Sequence, residues 1–170
     1  MTDKRVRPGL AADERTQLTG WLDLQRDVIR WKCEGVARED THRAVLPRSP
    51  HLSLAGLVSH MRWVEHCWFE VIFMDHPAVG PQFEGEDDDA DMRVEDVPLA
   101  QLLAQYTRQC AVSDEIIAAH SLDDLGRNKE YRGEETSLRW MLLHMIEETA
   151  RHAGHADAIR ELLDGELGYY

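Results

Sequence analysis

The chain has 170 residues and a formal net charge of −13, with 43% hydrophobic and 30% charged residues. This length suits one domain with a real core, and the composition is typical of a globular protein. So much negative charge argues against nucleic acid or an anionic membrane as the main partner. We therefore expect neither of them among its partners.

The cysteines and the N-terminal sequence bear on the compartment. Cys33, Cys67 and Cys110 are far apart, odd in number and without a CxxC motif, so they imply no disulfide framework. A reducing cytoplasm is the simplest expectation. The N-terminus lacks the apolar region of a signal peptide, and no segment reaches 18 apolar residues. We therefore expect no signal peptide and no membrane span.

The apolar periodicity predicts four long helices and no strands. Residues 1–11 are predicted to be a flexible N-terminal arm, and residues 12–170 a single domain. Helix-start and helix-stop signals place the helices within residues 13–35, 53–74, 98–120 and 136–163. The predicted fold class is all-α, a four-helix bundle with long inter-helix loops.

An acidic run, EGEDDDADMRVED, occupies residues 84–96 and holds eight acids and one arginine. It follows Pro77, Gly80 and Pro81, which end the second predicted helix. Like charges in such a run repel one another and favour hydration. We expect a solvated, mobile loop.

The fourth predicted helix carries a carboxylate and an imidazole four residues apart. His152 projects within its apolar stripe and Glu148 lies at the edge of that stripe, whereas Arg160 points elsewhere, as solvated residues do. Residues spaced i and i+4 are neighbours, so the pair could hold one ion. The alternative is a core histidine beside a surface glutamate. The apolar stripe comprises Met141, Met145, Thr149, Ala156, Ile159 and Leu163.

The second predicted helix supplies a third candidate ligand. His60 borders the apolar stripe of this helix, whereas His66 projects away from it and is predicted to lie on the surface. Packing the stripes together would bring His60, Glu148 and His152 to one end of the bundle interior. Two imidazoles and one carboxylate with open positions are typical of a catalytic metal site.

Two stretches, LSLAGLVSHMRWVEHCWF and SLRWMLLHMIEETARHAGHADAIRELLDG, resemble the DinB/YfiT-like superfamily, and most closely its actinobacterial mycothiol-transferase-like branch. Many members carry a histidine on the second helix and an H-x-x-x-H pair on the fourth. Glu148 stands where those members have the first histidine of the pair, although mycothiol-dependent maleylpyruvate isomerase also uses a His-Glu-His set. The resemblance implies that His60, Glu148 and His152 bind a divalent metal, with Zn²⁺ the first choice and Ni²⁺ the second.

Two further histidines receive weaker roles. His155 falls where the family often has glutamine, which implies a supporting position behind the ligands. His144 is a candidate proton carrier.

The resemblance implies a metal-dependent transferase that activates a mycothiol-like, low-molecular-weight thiol for conjugation to small electrophiles in detoxification or stress. Two other enzymes fit the same residues: a metal-dependent hydrolase and a maleylpyruvate-type isomerase. A non-catalytic metal- or thiol-binding stress protein is the alternative outside enzymes. Apolar helix faces could also support a homodimer, which is common in the superfamily.

Overall fold

The computed structural model describes residues 5–168, apart from residues 86, 88, 95 and 129–134. The first four residues of the predicted arm and part of the acidic run lie outside this set. The described residues form four long α-helices and no strand, with one isolated β-bridge between Leu125 and Ser137. The predicted all-α class is confirmed.

Each helix begins and ends within a few residues of its predicted bounds. The second helix continues without a break as a π-helical segment, His66–Phe73. Among the described residues, no helix combines the length and the apolar content needed to cross a membrane. The helices are α1 (Glu14–Lys32), α2 (Leu54–Glu65), α3 (Leu99–Ala119) and α4 (Leu138–Asp164).

The start of α1 shows how local chemistry fixes a helix end. Asp13 is the N-cap, and its carboxylate accepts hydrogen bonds from the backbone N–H of Thr16 at 3.1 Å and from its hydroxyl at 2.6 Å. These bonds satisfy a donor that the first turn would otherwise leave unpaired. Arg30 and Lys32 stand in the last turn, where positive charge favours the helix dipole.

The chain divides into two compact units, and the first comprises Met1–Leu54 with Leu142–Tyr170. Arg160 is buried there, which corrects the prediction that it is solvated. Its guanidinium donates to the carbonyl oxygens of Lys32 at 2.8 Å and Glu34 at 3.0 Å, and so caps the end of α1. The apolar residues buried in this unit include Leu18, Leu22, Val28, Ile29, Met145, Ala156 and Ile159.

The second unit, Ala55–Met141, contains most of α2, the π-helical segment, α3 and the first turn of α4. Two contacts between aromatic rings lie in this unit. The rings of Phe73 and His120 meet edge-on with centroids 5.0 Å apart, and the ring centroids of Trp68 and Trp140 are 5.6 Å apart. The apolar residues buried in this unit include Leu57, Val58, Met61, Phe69, Ile72, Leu102, Tyr106, Ile117 and Met141.

His66 is buried, so the prediction that it lies on the surface is wrong. It is the first residue of the π-helical segment, and its ring meets the ring of Trp63 edge-on with centroids 5.7 Å apart. Its Nδ1 lies 2.9 Å from Oε1 of Glu70, and Gln109 of α3 donates to the same oxygen at 2.7 Å. Glu70 thus joins the π-helical segment to α3.

The acidic run is also more structured than predicted. A short 3-10 turn forms within it at Ala90–Met92 and contacts another 3-10 turn, Pro81–Phe83, which directly precedes the run. Asp91 is 4% exposed, so the solvated-loop prediction is wrong for this residue.

Candidate metal centre

Glu148 and His152 are held side by side by the regular geometry of α4. Nε2 of His152 lies 3.1 Å from Oε1 of Glu148, and the side chains are 9% and 18% exposed, respectively. Thr149 lies between them in sequence and is buried in the apolar stripe. Its hydroxyl donates to the carbonyl oxygen of Met145 at 2.6 Å and so has a hydrogen-bond partner. Glu148 and His152 are therefore neighbours on α4, as the i, i+4 spacing predicted.

The separation of these two atoms suits a shared ion. Zinc binds histidine nitrogen and carboxylate oxygen at about 2.0–2.2 Å, so two tetrahedral ligand atoms lie about 3.3 Å apart. The 3.1 Å between Nε2 of His152 and Oε1 of Glu148 is close to that value. A partly buried carboxylate beside an imidazole also fits a divalent cation, because the cation offsets the cost of burying negative charge.

His155 supports the other side of the His152 ring. The two Nδ1 atoms are 3.4 Å apart and the rings meet edge-on with centroids 5.3 Å apart. Burial lowers the pKa of His155, and the nearby His152 and Arg151 lower it further, although Glu148 opposes them. The neutral imidazole that results has one ring nitrogen able to accept a hydrogen bond.

This arrangement links the protonation of His152 to its role. When Nε2 of His152 carries the proton, it donates to Glu148, and Nδ1 accepts from His155. When the proton is on Nδ1, it is donated to His155 and the Nε2 lone pair becomes available to a cation. Both states use the contacts that the structure shows.

His60 lies on α2, in the other unit. Its Nδ1 is 2.9 Å from Oδ2 of Asp91, and the side chains are 17% and 5% exposed, respectively. A carboxylate that accepts the Nδ1–H of a histidine fixes the ring and leaves Nε2 as the metal-binding atom. The structure therefore places a supporting carboxylate behind a predicted ligand.

Asp91 is the residue that sequence reasoning missed. It lies in a run of acids, and nothing in the spacing of that run singles it out. One signal was present: Asp91 is flanked by two apolar residues, Ala90 and Met92.

One contact of His144 is with Glu147, the residue before the candidate ligand Glu148. Its Nδ1 is 3.8 Å from the carboxylate of Glu147, whose side chain is half exposed. His144 itself is partly buried.

His60, Glu148 and His152 each offer one atom that could bind a metal ion. Three protein ligands would leave one coordination position for water or substrate, which is typical of catalytic rather than structural metal sites. The candidate class is therefore that of all-α proteins with a catalytic metal site. The chain matches the model of the mycothiol-S-transferase family over residues 17–165 and belongs to that family. The resemblance seen in the sequence is thereby confirmed. Neither a curated protein nor a solved structure matches it significantly.

Proposed function

We propose that this chain is a metal-dependent S-transferase that joins mycothiol, or a similar low-molecular-weight thiol, to small electrophiles. The observation that carries the proposal is the family match over residues 17–165, together with the paired Glu148 and His152 on α4. His60 is the third proposed ligand, held through Nδ1 by Asp91. The metal is proposed to be Zn²⁺ or, second, Ni²⁺, because imidazole suits both.

A divalent ion bound to these residues would lower the pKa of the co-substrate thiol and keep it as a thiolate near neutral pH. His60, Glu148 and His152 would hold the ion and would thereby position that sulfur. The proposed chemistry then forms a bond from sulfur to the electrophilic carbon, and the leaving group departs with the bonding electrons.

The proton released by the thiol needs an acceptor. His144, the proton carrier predicted from the sequence, is the proposed acceptor. His155 keeps its supporting position, because its accepting nitrogen would bind the Nδ1–H of His152 when Nε2 of His152 faces the ion. No protein nucleophile is required, and the three cysteines, all among the described residues, are buried and form no disulfide. Cysteines outside disulfides also suit the reducing cytoplasm proposed for this enzyme.

The test is a conjugation assay with the Zn²⁺-loaded protein, mycothiol and 1-chloro-2,4-dinitrobenzene. Thioether formation releases one chloride and one proton per bond formed, and both the thioether and the chloride are measured. We expect turnover with mycothiol that exceeds turnover with cysteine or glutathione. His152→Ala should abolish it, whereas His76→Ala, which changes a half-exposed histidine, should not.

Three outcomes would contradict the transferase. Ester or amide hydrolysis without any thiol would favour a hydrolase, and conversion of a maleylpyruvate-like diacid without a second electrophile would favour an isomerase. Saturable binding of metal and mycothiol without conjugation of any electrophile in a panel would favour a binding protein. The proposed homodimer stays a prediction, and the sedimentation mass of the purified protein tests it.

A further inference from the structure

Asp91 stands out within the acidic run because it is buried and points at a proposed ligand. It lies in the turn Ala90–Met92, and its side chain is 5% exposed. Its Oδ2 is 2.9 Å from Nδ1 of His60. The neighbouring Asp89 has the same charge but is exposed, and it makes no capping hydrogen bond with its side chain. Burial therefore separates Asp91 from the acid two residues before it.

The position of Asp91 is set by packing as well as by charge. Gly80 adopts φ +120°, and a Cβ at this position would lie 2.6 Å from the ring of Trp63 on α2, so only glycine fits there. Gln82 donates to the carbonyl of Trp63 at 3.4 Å. The turn Pro81–Phe83 in turn contacts Ala90–Met92.

The segment is therefore fastened to α2 at two residues one helical turn apart, Trp63 and His60. The contacts of Gly80 and Gln82 with Trp63 restrict the positions that the following residues can take. They therefore reduce the loss of chain entropy when Asp91 contacts His60.

Burying the Asp91 carboxylate costs desolvation free energy, and its contact with His60 offsets only part of that cost. Its Oδ1 is buried and has no hydrogen-bond partner among the described residues. A half-satisfied buried carboxylate is unfavourable unless positive charge compensates it. A cation on the far nitrogen of His60 would supply that charge through the ring, because it makes the Nδ1–H a stronger donor.

We propose that Asp91 is a positioning residue that holds the proton of His60 on Nδ1 and presents Nε2 to the metal. The proposal rests on the metal-dependent function proposed above. The turn Ala90–Met92 then has a functional role, because it carries the group that orients a ligand.

The test compares Asp91→Asn and Asp91→Ala with the matched control Asp89→Asn, which removes one negative charge from an exposed position of the same run. Apparent Zn²⁺ affinity is measured by competition with a chromogenic chelator. Losing the carboxylate behind a metal-binding histidine costs about 10–100-fold in affinity. We expect the smaller loss in Asp91→Asn, which keeps an acceptor oxygen, and the larger in Asp91→Ala. Asp89→Asn should stay within about twofold of the wild type.

A second readout needs neither metal nor activity. The ¹⁵N chemical shifts of the His60 ring in the metal-free wild type at pH 8 report which nitrogen carries the proton. We expect the Nδ1–H tautomer, and a mixture of tautomers in Asp91→Ala. An Nε2–H ring in the wild type would overturn the proposal even if every Asp91 variant failed to fold.

The experiment separates this proposal from the function on which it rests. Wild-type affinity in both Asp91 variants, alongside lost affinity in His60→Ala, would overturn the role of Asp91 and leave the metal site standing. Wild-type affinity in His60→Ala would overturn the ligand assignment itself, and with it the role of Asp91.

Discussion

Glu148 and His152 face each other across one turn of α4, with Oε1 and Nε2 3.1 Å apart. Many members of the superfamily that the sequence resembles carry two histidines at this spacing, whereas this chain has a carboxylate at the first of the two positions. The pair is part-buried, so the carboxylate contributes charge to a region where charge needs a partner. The replacement of histidine by glutamate is therefore expected to change the strength of metal binding and not the number of ligands.

Glu148→His should keep a bound metal, because imidazole is also a good Zn²⁺ ligand and the helical spacing is unchanged. Equilibrium dialysis with Zn²⁺ measures the stoichiometry, which we expect to stay near one ion per chain. Glu147→His, on the exposed side of the same helix, is the matched control. A folded Glu148→His protein that binds no Zn²⁺ would count against Glu148 as a ligand.

Asp157→Ala should destabilise the protein by roughly 1–3 kcal/mol, because it removes the counter-ion of a buried ammonium. Nζ of Lys32 is 2.9 Å from Oδ1 of Asp157 and also donates to the carbonyl of Leu167 at 3.1 Å. The side chain of Lys32 is 0% exposed and that of Asp157 is 35% exposed, so water compensates only the aspartate.

The free energy of unfolding in urea measures this effect. Lys32→Met should cost less, since it removes the buried charge together with the pair. Asp40→Ala, which breaks an ion pair with the largely exposed Arg43, should cost less than about 1 kcal/mol. Equal losses in Asp157→Ala and Asp40→Ala would show that the burial of Lys32 has no energetic consequence.

Glu70 should make stability depend on pH in the acid range. Burial raises the pKa of its carboxyl, but hydrogen bonds from Gln109, His66 and His76 and the charge of His66 outweigh it, so the pKa is lowered below its ordinary 4.5. A folded-state pKa below the unfolded value means that the carboxylate stabilises the fold above pH 4.5. That contribution is lost as the pH falls through the lower folded value.

Glu70→Gln should therefore be less stable than the wild type at neutral pH, and the difference in stability should shrink as the pH falls below 4.5. Chemical denaturation at a series of pH values measures the gap. Glu161→Gln, at an exposed position of α4, is the control and should show no such convergence. A gap that stays constant with pH would contradict the lowered pKa of Glu70.

Cys33 should resist alkylation in the native protein. Burial raises the pKa of its thiol from 9.0 to about 12, although the charge of Arg160 opposes this, and the thiolate is the form that reacts. Iodoacetamide at pH 8, followed by peptide mass spectrometry, should label Cys33 slowly in the native protein and readily in urea. Equal rates in the two states would contradict the burial.

Much of the fold could be predicted because the apolar periodicity and the helix-start signals agree. Asp13 and Ser53 immediately precede α1 and α2, and the turn residues after Lys32 and Asp164 follow the ends of their helices. The pairing of Glu148 with His152 was predicted for the same reason, since i and i+4 neighbours follow from helix geometry alone.

The missed features depend on contacts distant in the chain. Arg160 is buried because two carbonyl oxygens at the end of α1 accept its protons, and no pattern within α4 reveals that contact. His66 lies in contact with the ring of Trp63 and with Glu70, which Gln109 of α3 also binds, and no pattern within α2 reveals the contact with α3. Asp91 is buried because the segment after Gly80 folds back onto α2.

The measurement that tests the account most directly is metal analysis of the untagged protein, purified without chelators and then supplied with Zn²⁺, alongside three variants. The account predicts about one Zn²⁺ or Ni²⁺ per chain in the wild type and in His144→Ala, and loss of the ion in His60→Ala and His152→Ala. No ion in the wild type after Zn²⁺ is supplied, or equal loss in His144→Ala and His152→Ala, would contradict the proposed metal site.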